Sequence, residues 1–72
     1  MNYIFKFKDI DDDKCKIEVD TLILSVKITG ENRKMSYYTA NSKNKLFKIL
    51  RNNIGNMSRN TYRDYIKFIE KI

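Results

Sequence analysis

The groups in this chain with chemical potential are carboxylates, tyrosines, one thiol and a row of cations; histidine is absent. Asp9, Asp11, Asp13 and Asp20 fall at positions 1, 3, 5 and 12 of a calcium-loop pattern, whose oxygens would ligate the ion. Lys14 stands where that loop needs glycine, and both flanks read as strands rather than helices. The stretch from Asp9 to Lys14 therefore reads as a solvated turn that keeps a sheet end from self-association, and no metal site is expected. Five tyrosines raise covalent attack on a nucleic-acid phosphate, yet no histidine is available as base and a chain this short has little material for an arginine-lined pocket. Packing is the better account of them. Cys15 is the single cysteine, which excludes an internal disulfide and a four-ligand cysteine zinc site and suits a reducing compartment. Without histidine the commonest general base and metal ligand are missing. The expectation is a protein that is not an enzyme and carries no cofactor.

The cations are more informative. Arg59, Arg63, Lys67 and Lys71 recur at strict four-residue intervals, which stacks them as one ridge if the segment is helical. Ser58 is an N-cap residue type, and Met57 before it is placed to staple onto Tyr62. Tyr62, Tyr65, Ile66, Ile69 and Ile72 then share an arc of about 120° that must be buried. Like charges four apart cost a helix roughly 0.2–0.5 kcal/mol per pair. One account of the ridge is a solvated face relieved by Asp64 and Glu70; the other is a helix that faces phosphates or base edges.

The remaining elements follow from periodicity. Tyr3, Phe5 and Phe7 alternate with Ile4, Lys6 and Lys8, a half-buried strand. Cys15, Ile17 and Val19 alternate on odd positions, and Leu22, Leu24, Val26 and Ile28 on even ones. That change of parity fits a two-residue hairpin loop at Asp20-Thr21, with Val19 opposite Leu22, Ile17 opposite Leu24 and Cys15 opposite Val26; a bulge in one long strand would serve equally. Folding back at Gly30-Glu31-Asn32-Arg33 sets Ile28 against Met35 and Val26 against Tyr37. The outer face would then show Lys6, Lys8, Lys16, Lys27 and Lys34, with Ile4, Ile23 and Tyr38 among them, the lysines blocking edge pairing. After Ala40 the period becomes helical: Asn41 or Ser42 caps a helix on which Leu46, Phe47, Ile49, Leu50 and Ile54 cover about 160°, and Gly55-Asn56 end it.

This predicts one domain over residues 1–72 of α+β class. Three to four antiparallel strands (about 2–8, 15–19, 22–29 and 34–40) precede two helices (about 42–54 and 58–71) packed on one sheet face. The chain has 72 residues, and one so short hides only about 60% of its unfolded surface, so a homodimer or a bound partner would add stability. No segment approaches the length of an apolar membrane span, and a cytoplasmic protein is expected.

The formal charge of +6 is unevenly distributed. Residues 1–36 hold seven Lys/Arg and seven Asp/Glu, whereas residues 37–72 hold eight Lys/Arg against only Asp64 and Glu70. All the excess lies in the helical half, the footprint expected for a polyanion partner.

Leu50 to Lys71 resembles a helix-turn-helix DNA-binding unit. Ile54, Gly55, Asn56 and Met57 correspond to the end of a first helix and the turn, and Ser58-Arg59-Asn60-Thr61 to the opening of a recognition helix, with Tyr62 and Tyr65 inward. The resemblance implies that Ser58, Arg59, Asn60, Arg63, Asp64 and Lys67 lie toward a major groove, where Arg and Asn can pair with guanine and adenine edges. Together with Lys71 on the same ridge and Lys45, Lys48 and Arg51 on the first helix, the expected nucleic-acid-binding set is Ser58, Arg59, Asn60, Arg63, Lys67, Lys71, Lys45, Lys48 and Arg51. The partner is then nucleic acid or a nucleic-acid-processing protein complex, as for a phage or mobile-element regulator. The alternative is a protein-targeted inhibitor of a host defence enzyme, of the anti-CRISPR kind, that does not touch nucleic acid itself. Membrane binding is not expected, because the apolar face of the second helix is needed for the core.

Overall fold

The computed structural model describes residues 1–52 and 57–72. Four strands, β1 (Asn2–Lys8), β2 (Lys14–Asp20), β3 (Ser25–Gly30) and β4 (Arg33–Thr39), are followed by α1 (Lys43–Asn52) and α2 (Arg59–Lys71). The strands form an antiparallel meander in the order β1-β2-β3-β4. This is the expected α+β arrangement. Alternation decides which face closes: Phe5 pairs with Ile17 and Ile17 with Ile28, and this row packs under Leu46 and Leu50 of α1 and Tyr65 and Ile69 of α2. Fully burying an aliphatic side chain of this size is worth about 1.5–3 kcal/mol, so the sheet's inner face and the two helix stripes are the main source of stability.

The β2–β3 connection differs from both expected forms. Asp20 pairs with Ser25 and Val19 with Val26, leaving Thr21 to Leu24 as a four-residue loop. Any loop of even length produces the change of parity, so alternation alone could not separate two residues from four. Local chemistry chose four. The Asp20 carboxylate accepts the Leu22 amide at 2.9 Å and the Ile23 amide at 3.4 Å, and Leu24 reverses the chain at a φ of 53°. Leu22 and Ile23 are consequently exposed, at 84% and 61%, instead of lying in a strand.

The β3–β4 hairpin has the expected register at its turn, where Gly30 faces Arg33, but not beyond it. A register shift between Gly30 and Ile28 puts Ile28 opposite Ser36 and Val26 opposite Tyr38. The extra residue on β4 turns Tyr38 into the core and Tyr37 out to solvent, the reverse of the expectation.

Helix α1 begins after Ser42, whose hydroxyl accepts the Lys45 amide at 3.3 Å. The expected extension of this helix to residue 54 and its ending at Gly55-Asn56 lie outside the described residues. Helix α2 starts as its sequence indicates: Ser58 is the N-cap and its hydroxyl oxygen accepts the Thr61 amide at 3.3 Å. Its buried face is centred on Tyr65 and Ile69, with Ile66 and Ile72 beside them. Tyr62 is 40% exposed rather than buried, and Phe68 takes part instead, its ring 5.3 Å from that of Phe5.

Candidate nucleic-acid interface

Two anchors hold the basic helices in place. The first is packing: Phe5 lies 5.4 Å, centroid to centroid, from Tyr65, which fixes the rotation of α2 about its axis over β1. The second is polar. The Tyr65 hydroxyl donates to the Leu50 carbonyl at 2.7 Å, which ties α2 to α1. Burial pushes the Tyr65 phenol well above its ordinary value, with the neighbouring Tyr62 adding to the effect.

With that rotation set, Arg59, Asn60, Arg63, Lys67 and Lys71 are exposed on α2 and Ser58 at its N-cap, and Lys45, Lys48 and Arg51 are exposed on α1. Among the described residues the ion pairs are Lys16 with Glu18 and Arg33 with Asp9 and Asp13, so none of the seven cations in this set is neutralised by a carboxylate there. Lys45 and Lys48 meet in one cleft of about 670 Å³ that Asn41 and Asn52 also line, beside the end of β4. Arg51 is outside that cleft.

Helix electrostatics separate two kinds of cation. Arg51 and Lys71 sit in last turns, where a positive charge is favoured by the helix dipole and needs no further reason. Neither helix has an acidic residue in its first turn, and Arg59 opens α2 where a cation costs about 0.3–1 kcal/mol. The N-terminal end of α2 is thus left as a concentration of positive potential.

The acidic turn is solvated only in part: Ile10, Asp11 and Asp12 are exposed as expected, but its two ends are not. Asp9 and Asp13 are buried, at 5% and 6% exposure. Asp9 Oδ1 accepts the amides of Asp11 and Asp13, each at 2.9 Å, while its Oδ2 takes Arg33 Nη2. Asp13 accepts the Asn32 amide at 3.0 Å and Arg33 Nε at 3.4 Å. Burial pushes the Asp9 carboxyl up, but the two amides and the Arg33 guanidinium outweigh it and hold it below its ordinary value. The same burial raises the Cys15 thiol, which lies 3.6 Å from the Asp13 carbonyl. The network pins the β1–β2 turn to the β3–β4 turn. A Cβ on Gly30 would come within 2.6 Å of Asp13 Oδ2, so only glycine leaves room for it.

Ligand atoms of Asp9, Asp13 and Cys15 lie within 4.8 Å of one another, but Arg33 already holds both carboxylates, and a cation entering there would have to displace it. Asp20, expected at the last calcium-loop position, is at the opposite end of β2, opposite Asn2. No signal in the sequence joins Arg33 to Asp9 across 24 positions. Comparison with protein-family models, curated proteins and solved structures finds no match to this chain.

Proposed function

We propose that this protein is a small non-catalytic binding module that acts on nucleic acid, or on a nucleoprotein complex, through its basic C-terminal helix. The observation that carries this reading is the state of the ridge: Arg59, Arg63, Lys67 and Lys71 are exposed, unpaired with carboxylates among the described residues, and set on a helix whose rotation is held by Tyr65. Phosphate contacts from these four, with Lys45 and Lys48, would supply most of the affinity, and Asn60 and Arg59 at the opening of α2 are the side chains suited to base edges. The helix-turn-helix resemblance agrees with such a use of α2, although its turn lies outside the described residues. The test is a titration of labelled duplex DNA at salt concentrations from about 50 to 200 mM. Five or six neutralised phosphates predict a slope near −5 in log–log form, about −0.9 for each phosphate, and flat binding rejects the proposal.

A second reading, an inhibitor that docks on a host defence enzyme, draws on the outer sheet face, where Ile4, Ile23 and Tyr37 are exposed around one cleft. Affinity capture from a nuclease-treated lysate separates the two: a retained protein partner supports the inhibitor, and loss of all partners supports nucleic acid.

A further inference from the structure

The outer face of the sheet carries a second concentration of charge that the sequence disguises, because the first half of the chain is formally neutral. Burial of Asp9 and Asp13 against Arg33 takes two of its carboxylates and one cation out of play. What remains outward on the strands at this end is Lys6, Lys8, Lys14 and Lys16, with the exposed carboxylates Asp11, Asp12 and Glu31 confined to the two turns. Lys6 pairs directly with Lys16, and Lys8 directly with Lys14, on the side away from the helices, since Phe5, Phe7, Cys15 and Ile17 point inward. Like charges directly opposite on neighbouring strands destabilise a sheet. Two such pairs in succession are more than edge protection requires, because β2 is an inner strand and has no edge to protect.

The four lysines line one open cleft of about 560 Å³, with Thr29, the cross-strand neighbour of Lys16, and Glu31 on its wall. Among the described residues Lys16 alone of the four has an ion-pair partner, Glu18 at 2.7 Å, which lies two residues further along the same face and closes the patch on that side. Hydrogen bonding from Lys16 holds the Glu18 carboxyl below its ordinary value, so that boundary stays negative. The cationic rows are two residues apart, about 7 Å along the strands. Beyond them lie Glu18 and the exposed Ile4.

We infer that this cleft binds a compact oligophosphate anion, of the size of a triphosphate, through Lys6, Lys8, Lys14 and Lys16. Charge and extent both select it. Four ammonium groups, one of them shared with Glu18, outnumber the Glu31 carboxylate on the cleft wall and oppose the clustered negative oxygens, and a ligand of that length ends before it reaches Glu18. A polymer backbone would run on over Glu18 and Ile4. The assignment stands apart from the proposed use of α2, which is on the other side of the sheet.

The experiment is a titration of the isotopically labelled chain with sodium tripolyphosphate, followed by amide NMR. Saturable shifts centred on Lys8, Lys14, Lys16, Thr29 and Glu31 are expected. Lys8→Gln with Lys14→Gln should weaken them at least about tenfold while leaving the melting temperature unchanged or higher, since it relieves one like-charge pair. Arg63→Gln with Lys67→Gln should leave them intact, so this site and the helix ridge can fail independently. Absence of saturation, equal shifts from sodium sulfate at matched ionic strength, or persistence of the shifts in the lysine double variant would overturn the inference. So would tighter binding of a twelve-nucleotide thymidine strand than of tripolyphosphate at these amides.

Discussion

The hydroxyl of Tyr65 donates to the carbonyl of Leu50 at 2.7 Å in the buried space between α2 and α1. That one bond couples the rotation of the basic helix to the helix before it.

Tyr65→Phe should keep the ring packing on Phe5 and lose only the donor. The Leu50 carbonyl would lose this buried donor, at a cost of about 0.5–1.5 kcal/mol. Chemical denaturation with an unchanged m-value checks this, and an effect within error would show that water replaces the hydroxyl.

Alkaline conditions probe the same group. The folded phenol titrates above the unfolded value of 10.0, so its contribution is complete below pH 10 and is lost as pH rises past it, because only the unfolded chain releases the proton. Stability should fall with pH above about 10, with a smaller slope in Tyr65→Phe, as read from melting temperatures across that range.

At the other end of the scale the sign reverses. The Asp9 carboxyl is depressed below its ordinary 3.8 in the fold, so its contribution is present above that pH and is lost as pH falls through the lower folded value. Asp9→Asn should flatten the acid limb of the stability curve and lower the plateau, since Arg33 loses a charged partner. An acid limb identical to that of the unmodified chain would contradict the buried network.

Gly30→Ala tests the same network by volume. The added methyl would sit 2.6 Å from Asp13 Oδ2 and 2.7 Å from Arg33 Cγ, and overpacking of this kind costs about 1–3 kcal/mol. A neutral result would mean that the two turns separate easily.

Arg63→Gln with Lys67→Gln should leave stability within about 0.5 kcal/mol, because both side chains are exposed and have no carboxylate partner among the described residues. The same pair of changes should reduce the salt slope of DNA binding by about 2. An unchanged slope would remove those two residues from the interface.

Much of this protein was legible from its residues alone. Alternation in Tyr3-Phe5-Phe7 and in Cys15-Ile17-Val19, the change of period after Ala40 and the cap at Ser58 determine an antiparallel sheet of three to four strands followed by two helices, because a period of two and a period of 3.6 each bury only one face. The spacing of Arg59, Arg63, Lys67 and Lys71 likewise determines that they share a face once the segment is helical. Tertiary structure decided what period leaves open. Parity is the same for a two-residue and a four-residue loop, so only the capture of the Leu22 amide by Asp20 placed Leu22 outside the sheet. One extra residue in β4 exchanged Tyr37 for Tyr38, and nothing local in that strand announces it. The pairing of Arg33 with Asp9 joins two turns that meet only after the meander has formed, and the lysine pairs of β1 and β2 become neighbours by the same closure. Local pattern specifies which way a side chain points along its own element; register, set by contacts distant in sequence, specifies what it meets there.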